Sequence, residues 1–204
     1  MPENYGYNPA TGSLYAQSFA LYQNVPTEQR LFYYDDGEDC TNFISQCVWA
    51  AYGGWMVGFT PDVVAQNKQR IKNDIRQTKS KWYGSESHIG SNIWCRVGEF
   101  FDYVTDKNKR LGPSAQVVGE GTFGEIDPSV LYRGDVIQME VTTYAPGRYG
   151  HGLYVTKPGA GWSEVLICCH SYDRLNASMA EFAAAPEIYP RLRILRFMPA
   201  KFNT

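Results

Sequence analysis

The chain has no excess of either charge, no long apolar run and few histidines, and each scarcity removes a class of function. Its 19 Lys and Arg stand against 21 Asp and Glu, for a formal net charge of −2. That balance offers no basic footprint for nucleic acid or for an anionic membrane surface. No segment approaches the ~18 consecutive apolar residues of a membrane span. The opening Met1-Pro2-Glu3-Asn4-Tyr5-Gly6-Tyr7 lacks the basic and apolar regions of a secretory signal. The chain as given therefore reads as soluble, with its compartment open, because a trimmed exported domain would look the same. Five cysteines, Cys40, Cys47, Cys95, Cys168 and Cys169, form an odd set without CxxC or framework spacing. At least one thiol is therefore unpaired, and neither a disulfide scaffold nor a zinc ribbon is expected. His88, His151 and His170 are the three histidines, and with no HExxH among them no metal site or cofactor is expected.

What the chain does have is an aromatic content of 15% with 15 tyrosines, and no Pro/Gly/Ser-rich linker in its 204 residues. Residues 1–204 accordingly read as one domain. Leu14, Tyr15, Ala16, Phe19, Ala20 and Tyr22 predict an opening helix within residues 8–24. Cys40, Phe43, Ile44, Cys47, Val48 and Ala51 follow helical spacing, and Gly53-Gly54 supplies the stop. Residues 60–77 carry a weaker pattern, either a short surface helix or a long loop. Ile93, Val97, Phe100, Phe101 and Val104 predict a further helix capped by Ser91-Asn92. The period then changes. Val136–Val141, His151–Thr156, Val165–His170 and the half-exposed Arg191–Phe197 read as strands separated by glycine turns. Helices first and antiparallel strands after give an α+β class.

The most informative run is Asp39-Cys40-Thr41-Asn42-Phe43-Ile44-Ser45-Gln46-Cys47. It places a thiol in the first turn of a helix, where backbone N–H groups lack intrahelical partners and favour a thiolate. Asp35, Asp36, Glu38 and Asp39 crowd the same end and oppose a further anion, so an imidazolium partner is required. Taken alone, the acidic run is a solvated helix entrance and Cys40 a small apolar thiol. A hairpin turn near Gly159-Ala160 puts His151 opposite residues 168 to 170, so that His170 faces His151, or Cys169 does after a one-residue slip. Thiol, base and orienting group then make a nucleophile, base and orienter set for acyl transfer. Asp173 and Asn176 are alternative orienters. Asn42 serves either the helix start or a substrate, and Trp55, Trp82 and Tyr83 are candidates for a substrate groove. His88 lies in a Ser/Gly-rich loop and reads as surface.

Asp39–Gln46, then Gly134-Asp135-Val136-Ile137-Gln138, Gly150-His151-Gly152-Leu153-Tyr154-Val155-Thr156 and His170-Ser171-Tyr172-Asp173-Arg174 occur in an order that resembles the putative amidase domain family. That family is one of the NlpC/P60-like, papain-like cysteine hydrolases, and the likeness runs over about residues 7 to 176, with Trp82 and Trp94 fitting it as well. The resemblance implies a papain-like fold in which N-terminal helices pack on a C-terminal antiparallel sheet. It also implies Cys40 as nucleophile, His151 as general base and His170 as third member, without a cofactor. Gly152 departs from the serine that often follows the base in the family. The reaction implied is amide hydrolysis through a thioester, with a peptide, first of all a cell-wall peptide, as partner. A catalytically silent module that binds a peptide or glycan, and an acyltransferase using the same residues, are the rival readings. Oligomeric state is not legible.

Overall fold

A computed structural model describes residues 3–203. In chain order the elements are β1 (Glu3–Tyr5), α1 (Pro9–Phe19), α2 (Cys40–Ala51), α3 (Pro61–Lys72), α4 (Asn92–Cys95), α5 (Val97–Thr105), β2 (Ser114–Gly121), β3 (Val136–Val141), β4 (Ala145–Lys157), β5 (Leu166–Cys169), β6 (Arg174–Ser178), α6 (Ala180–Ala183), β7 (Leu192–Met198) and β8 (Ala200–Phe202). Six strands form one sheet in the order β2-β7-β3-β4-β5-β6, and β1 pairs with β8 in a separate two-stranded ribbon. Neighbours in both sheets run antiparallel. The class is α+β.

Alternation along the strands sends side chains to two apolar layers. Val136, Tyr154, Cys168, Leu195 and Phe197 point to the layer built by α1, α2, α4 and α5. Ile137, Met139, Leu153, Val155, Ile167, Cys169, Leu192 and Ile194 point to the opposite layer, closed by Phe123, Ile126, Leu131, Met179 and Phe182. Helix α2 is buried along its whole length, not only along the stripe that its spacing predicts. Its polar residues are satisfied internally: Ser45 Oγ donates to Trp94 O at 2.8 Å, and Gln46 Oε1 accepts from Tyr15 at 2.9 Å. Close approach of α1 to the sheet depends on Gly12, where a Cβ would come within 2.0 Å of the Tyr154 hydroxyl.

One open alternative is resolved, and three details differ from the sequence reading. The weak segment 60–77 holds a proper helix, α3, started by Thr60, whose Oγ1 accepts from Val63 N–H. The helix expected from Ile93 to Val104 is broken at Arg96, which adopts extended backbone between α4 and α5. The strand around Arg191–Phe197 is interior to the sheet, between β2 and β3, and is not the last. Its alternating cations are absorbed: Arg193 lies over the Phe101 and Tyr149 rings at 3.3 and 3.9 Å, and Arg196 pairs with Asp135 at 2.7 Å. The β4–β5 ladder matches Val155 with Ile167 and Tyr154 with Cys168 and goes no further toward His151, since β5 stops at Cys169. His151 therefore has no strand partner on that side, and the pairing of His151 with His170 does not form.

Candidate active site

The end of the β4–β5 ladder leaves a gap beside His151 and Gly152, and the N-terminus of α2 fills it. Gly152 lies on the α2 side, where a Cβ would stand 3.3 Å from Ile44 Cγ1. A bare backbone lets the helix settle against the strand. The Gly152 N–H is then directed at the Cys40 sulfur, and the Thr41 hydroxyl lies 3.7 Å from it.

His151 pairs with Met139 in the β3–β4 ladder and shares its face of the sheet. The ring is 6% exposed, and its buried Nδ1 has no hydrogen-bond partner. A buried nitrogen without a partner is uncommon and calls for a reason. Among the described residues no hydrogen bond joins His151 to Cys40 or to His170.

Burial pushes the Cys40 thiol up, against the pull of the Thr41 hydroxyl and of the Gly152 and Thr41 N–H groups, while Asp39 adds to the push. Burial also pushes His151 down to about 4, with the Arg174 charge adding to it. Near neutrality the two rest as thiol and neutral imidazole. The expectation of an ionised thiol at the helix start is thus overturned: removal from water outweighs the helix end.

His170 turns to α2 instead of to His151. Its ring stacks on Phe43, with centroids 4.0 Å apart. Nε2 lies 2.9 Å from Phe19 O and Nδ1 lies 2.5 Å from Asp39 Oδ2. A carbonyl only accepts, so Nε2 carries a hydrogen, and a further proton lies between Nδ1 and the carboxylate. The pair is net neutral wherever that proton rests. Both ring nitrogens are engaged, which leaves none to orient His151.

Asp39 is the residue whose place the sequence reading missed. It is fully buried, not part of a solvated helix entrance. Its Oδ1 accepts from Asp35 N–H at 2.9 Å and from Asn42 Nδ2 at 2.6 Å, and its own N–H donates to Ser171 Oγ at 2.9 Å. Ser171 and Tyr172 reach this position through left-handed backbone, with φ of 61° and 74°. An aspartate before a helix ordinarily caps the first-turn N–H groups. Here the carboxylate is drawn to His170, and Asp39 makes no side-chain cap bond. The only signal in the sequence was an acidic residue directly before the helix-starting cysteine.

The expected substrate groove is also corrected. Trp55 is 4% and Trp82 0% exposed, and Trp82 Nε1 donates to Ser45 Oγ. Asn42 is consumed by Asp39, by Tyr33 O at 2.7 Å and by Trp94 Nε1 at 2.7 Å. Asn42 belongs to α2 itself, and all three residues are buried. Tyr83 is half-buried, and its carbonyl accepts from Ser91 N–H. Asp173 accepts from Tyr22 N–H and the Tyr34 hydroxyl, and Asn176 from Gln17 and Thr156. Neither bonds to His151. His88 is exposed. A cleft of about 520 Å³ walled by Tyr22, Arg30, Tyr33 and Tyr34 adjoins the buried pair, since the Tyr22 and Tyr34 rings stand edge-on to His170. Among the described residues no group of His, Cys, Asp or Glu could hold a metal ion, and no helix is long and apolar enough to cross a membrane.

The fold and these residues define an α+β protein with a thiol at the start of a buried helix and a histidine on the strand beside it. Residues 6–191 match the putative amidase domain family, and the chain belongs to that family. No curated protein and no solved structure matches the chain.

Proposed function

We propose that the protein is a cysteine amidase of papain-like design, in which Cys40 attacks an amide carbonyl and His151 moves the proton. The observation that carries this reading is the juxtaposition where the β4–β5 ladder ends. The Gly152 N–H is directed at the Cys40 sulfur, and the residue before it holds a buried ring nitrogen with no partner of its own.

As the sulfur bonds to the carbonyl carbon, His151 takes the thiol proton, and the oxygen of the tetrahedral intermediate becomes the anion. Backbone N–H groups at the start of α2, left without a side-chain cap, are the donors for that oxygen. Collapse breaks the C–N bond, His151 returns the proton to the leaving amine, and a thioester remains on Cys40. Water, deprotonated by His151, then releases the acid. His170 acts as a positioning residue in this scheme: by holding Asp39 it keeps the carboxylate off the helix end and neutralises it. The cleft walled by Tyr22 and Tyr34 lies beside the same pair and is the place for the rest of the substrate. By family likeness, peptide amides are the substrate class, and cell-wall peptides are the first to screen.

Purified peptidoglycan fragments incubated with the protein and read by mass spectrometry test this reading. Wild type is expected to release a free amine and to show an acyl adduct on Cys40, and Cys40→Ala to do neither. Brief iodoacetamide treatment should label Cys40 ahead of Cys95, although Cys95 is the more exposed, because burial pushes Cys95 up to about 12. Full activity in Cys40→Ala overturns the assignment.

A further inference from the structure

A second cleft, of about 430 Å³, lies between the turn at 78–82 and the segment that follows α5. None of its lining residues belongs to α2 or β4, which carry Cys40 and His151. Lys79, Lys81, Lys109 and Arg110 line it, with Asp106 as the single carboxylate among the described residues. None of the four cations enters an ion pair among the described residues. In a chain of net charge −2, a concave site with this sign concentrates field lines and gathers anions.

The two walls are fixed before any ligand arrives. Thr78 and Trp82 close their turn twice, by Thr78 N–H to Trp82 O at 2.9 Å and by Trp82 N–H to Thr78 Oγ1 at 2.6 Å, and the buried Trp82 ring anchors it. Opposite, the Tyr103 hydroxyl donates to Leu111 O at 2.7 Å. Lys109 Nζ is held by the Val104 and Asp106 carbonyls at 3.0 and 3.1 Å, which fixes its charge at the cleft. Charges on pinned turns lose less freedom on binding than charges on loose ones.

We propose that this cleft binds a ligand carrying two or more phosphate groups. Three of the four cations are lysines, compact point charges that meet phosphate oxygens in many orientations, and the fork of Arg110 matches phosphate geometry as well. The span of the cations across two walls calls for more than one anionic group. The site stands apart from the amidase reading and does not depend on it.

Titration calorimetry of the full chain with tripolyphosphate at low salt tests the proposal. Wild type should bind it with one-to-one saturation, weakening as salt rises. Lys79→Ser/Lys81→Ser, at two exposed positions, should weaken binding by about tenfold or more, and Lys72→Ser/Lys157→Ser, which removes equal charge elsewhere, by no more than about twofold. Equal weakening in the two double variants would show diffuse attraction and overturn the site. Absence of saturable binding up to about 1 mM ligand, or citrate binding as tightly as tripolyphosphate, would overturn it as well. The rate of Cys40 alkylation should be the same in wild type and in both variants, so the test stands whether or not the amidase reading holds.

Discussion

Mild acid should destabilise this protein through His151. An exposed histidine titrates near 6.5, whereas burial holds the folded His151 at about 4. Between these values the unfolded chain binds a proton that the folded chain refuses, so stability falls as pH falls. The contribution is fully present above about pH 6.5, shrinks steadily below it, and levels off once the pH passes below the folded value. By pH 4 a gap of this size amounts to about 3 kcal/mol. The ring is 6% exposed, so solvent screening removes little of this. Domains of this kind are stable by ~5–15 kcal/mol, and the loss is a large part of that. Urea unfolding of wild type and His151→Gln at pH 7.5, 6.5, 5.5, 4.5 and 4 isolates the effect, because other groups titrate in both proteins. The stability difference between the two should move by about 3 kcal/mol in favour of the variant as pH falls. A difference that stays flat across the range would refute the buried, neutral histidine. If His151 is also the base, kcat/KM should hold its neutral-pH value down toward pH 4, where a standard histidine would lose it near 6.5.

Three further outcomes are expected. His170→Ala leaves the buried Asp39 carboxyl group without its partner and should cost ~3–5 kcal/mol, while His170→Asn, able to donate one bond, should cost less; equal melting temperatures for wild type and His170→Ala would show that the pair does not matter. Gly12→Ala drives a Cβ into the Tyr154 hydroxyl and should destabilise by several kcal/mol, with Tyr154→Phe in the same chain restoring part of the loss; a denaturation midpoint unchanged by Gly12→Ala would contradict the packing of α1 on the sheet. Asn42→Ala orphans the buried Trp94 N–H and should cost ~1–3 kcal/mol of stability while leaving KM for any substrate found by the screen unchanged; a raised KM in fully folded protein would return Asn42 to the substrate side.

Local chemistry was legible because it is written in neighbouring residues. The helical spacing from Cys40 to Ala51 and the Gly53-Gly54 stop located α2, whose ends are Cys40 and Ala51. Alternating apolar residues after Gly134 located β3, whose ends are Val136 and Val141. The ordered motifs also carried the family, whose match spans residues 6–191. Tertiary structure decided what each motif residue touches. Register is invisible in a single strand, and the β4–β5 ladder, set by the turn at 158–164 and the burial of Ile167 and Cys168, ended too early for His151 and His170 to meet. Past the strand end, His170 found Asp39, a residue 131 positions away. That contact turned an apparently solvated acid into a buried, neutralised one. The same compaction drew Trp55 and Trp82 out of any groove, since large apolar surfaces beside α2 are most stable when buried. Burial also reversed the expected ionisation of Cys40: the sequence shows a helix end that favours a thiolate, whereas how much water remains around the sulfur is decided only once α2 seats against Gly152.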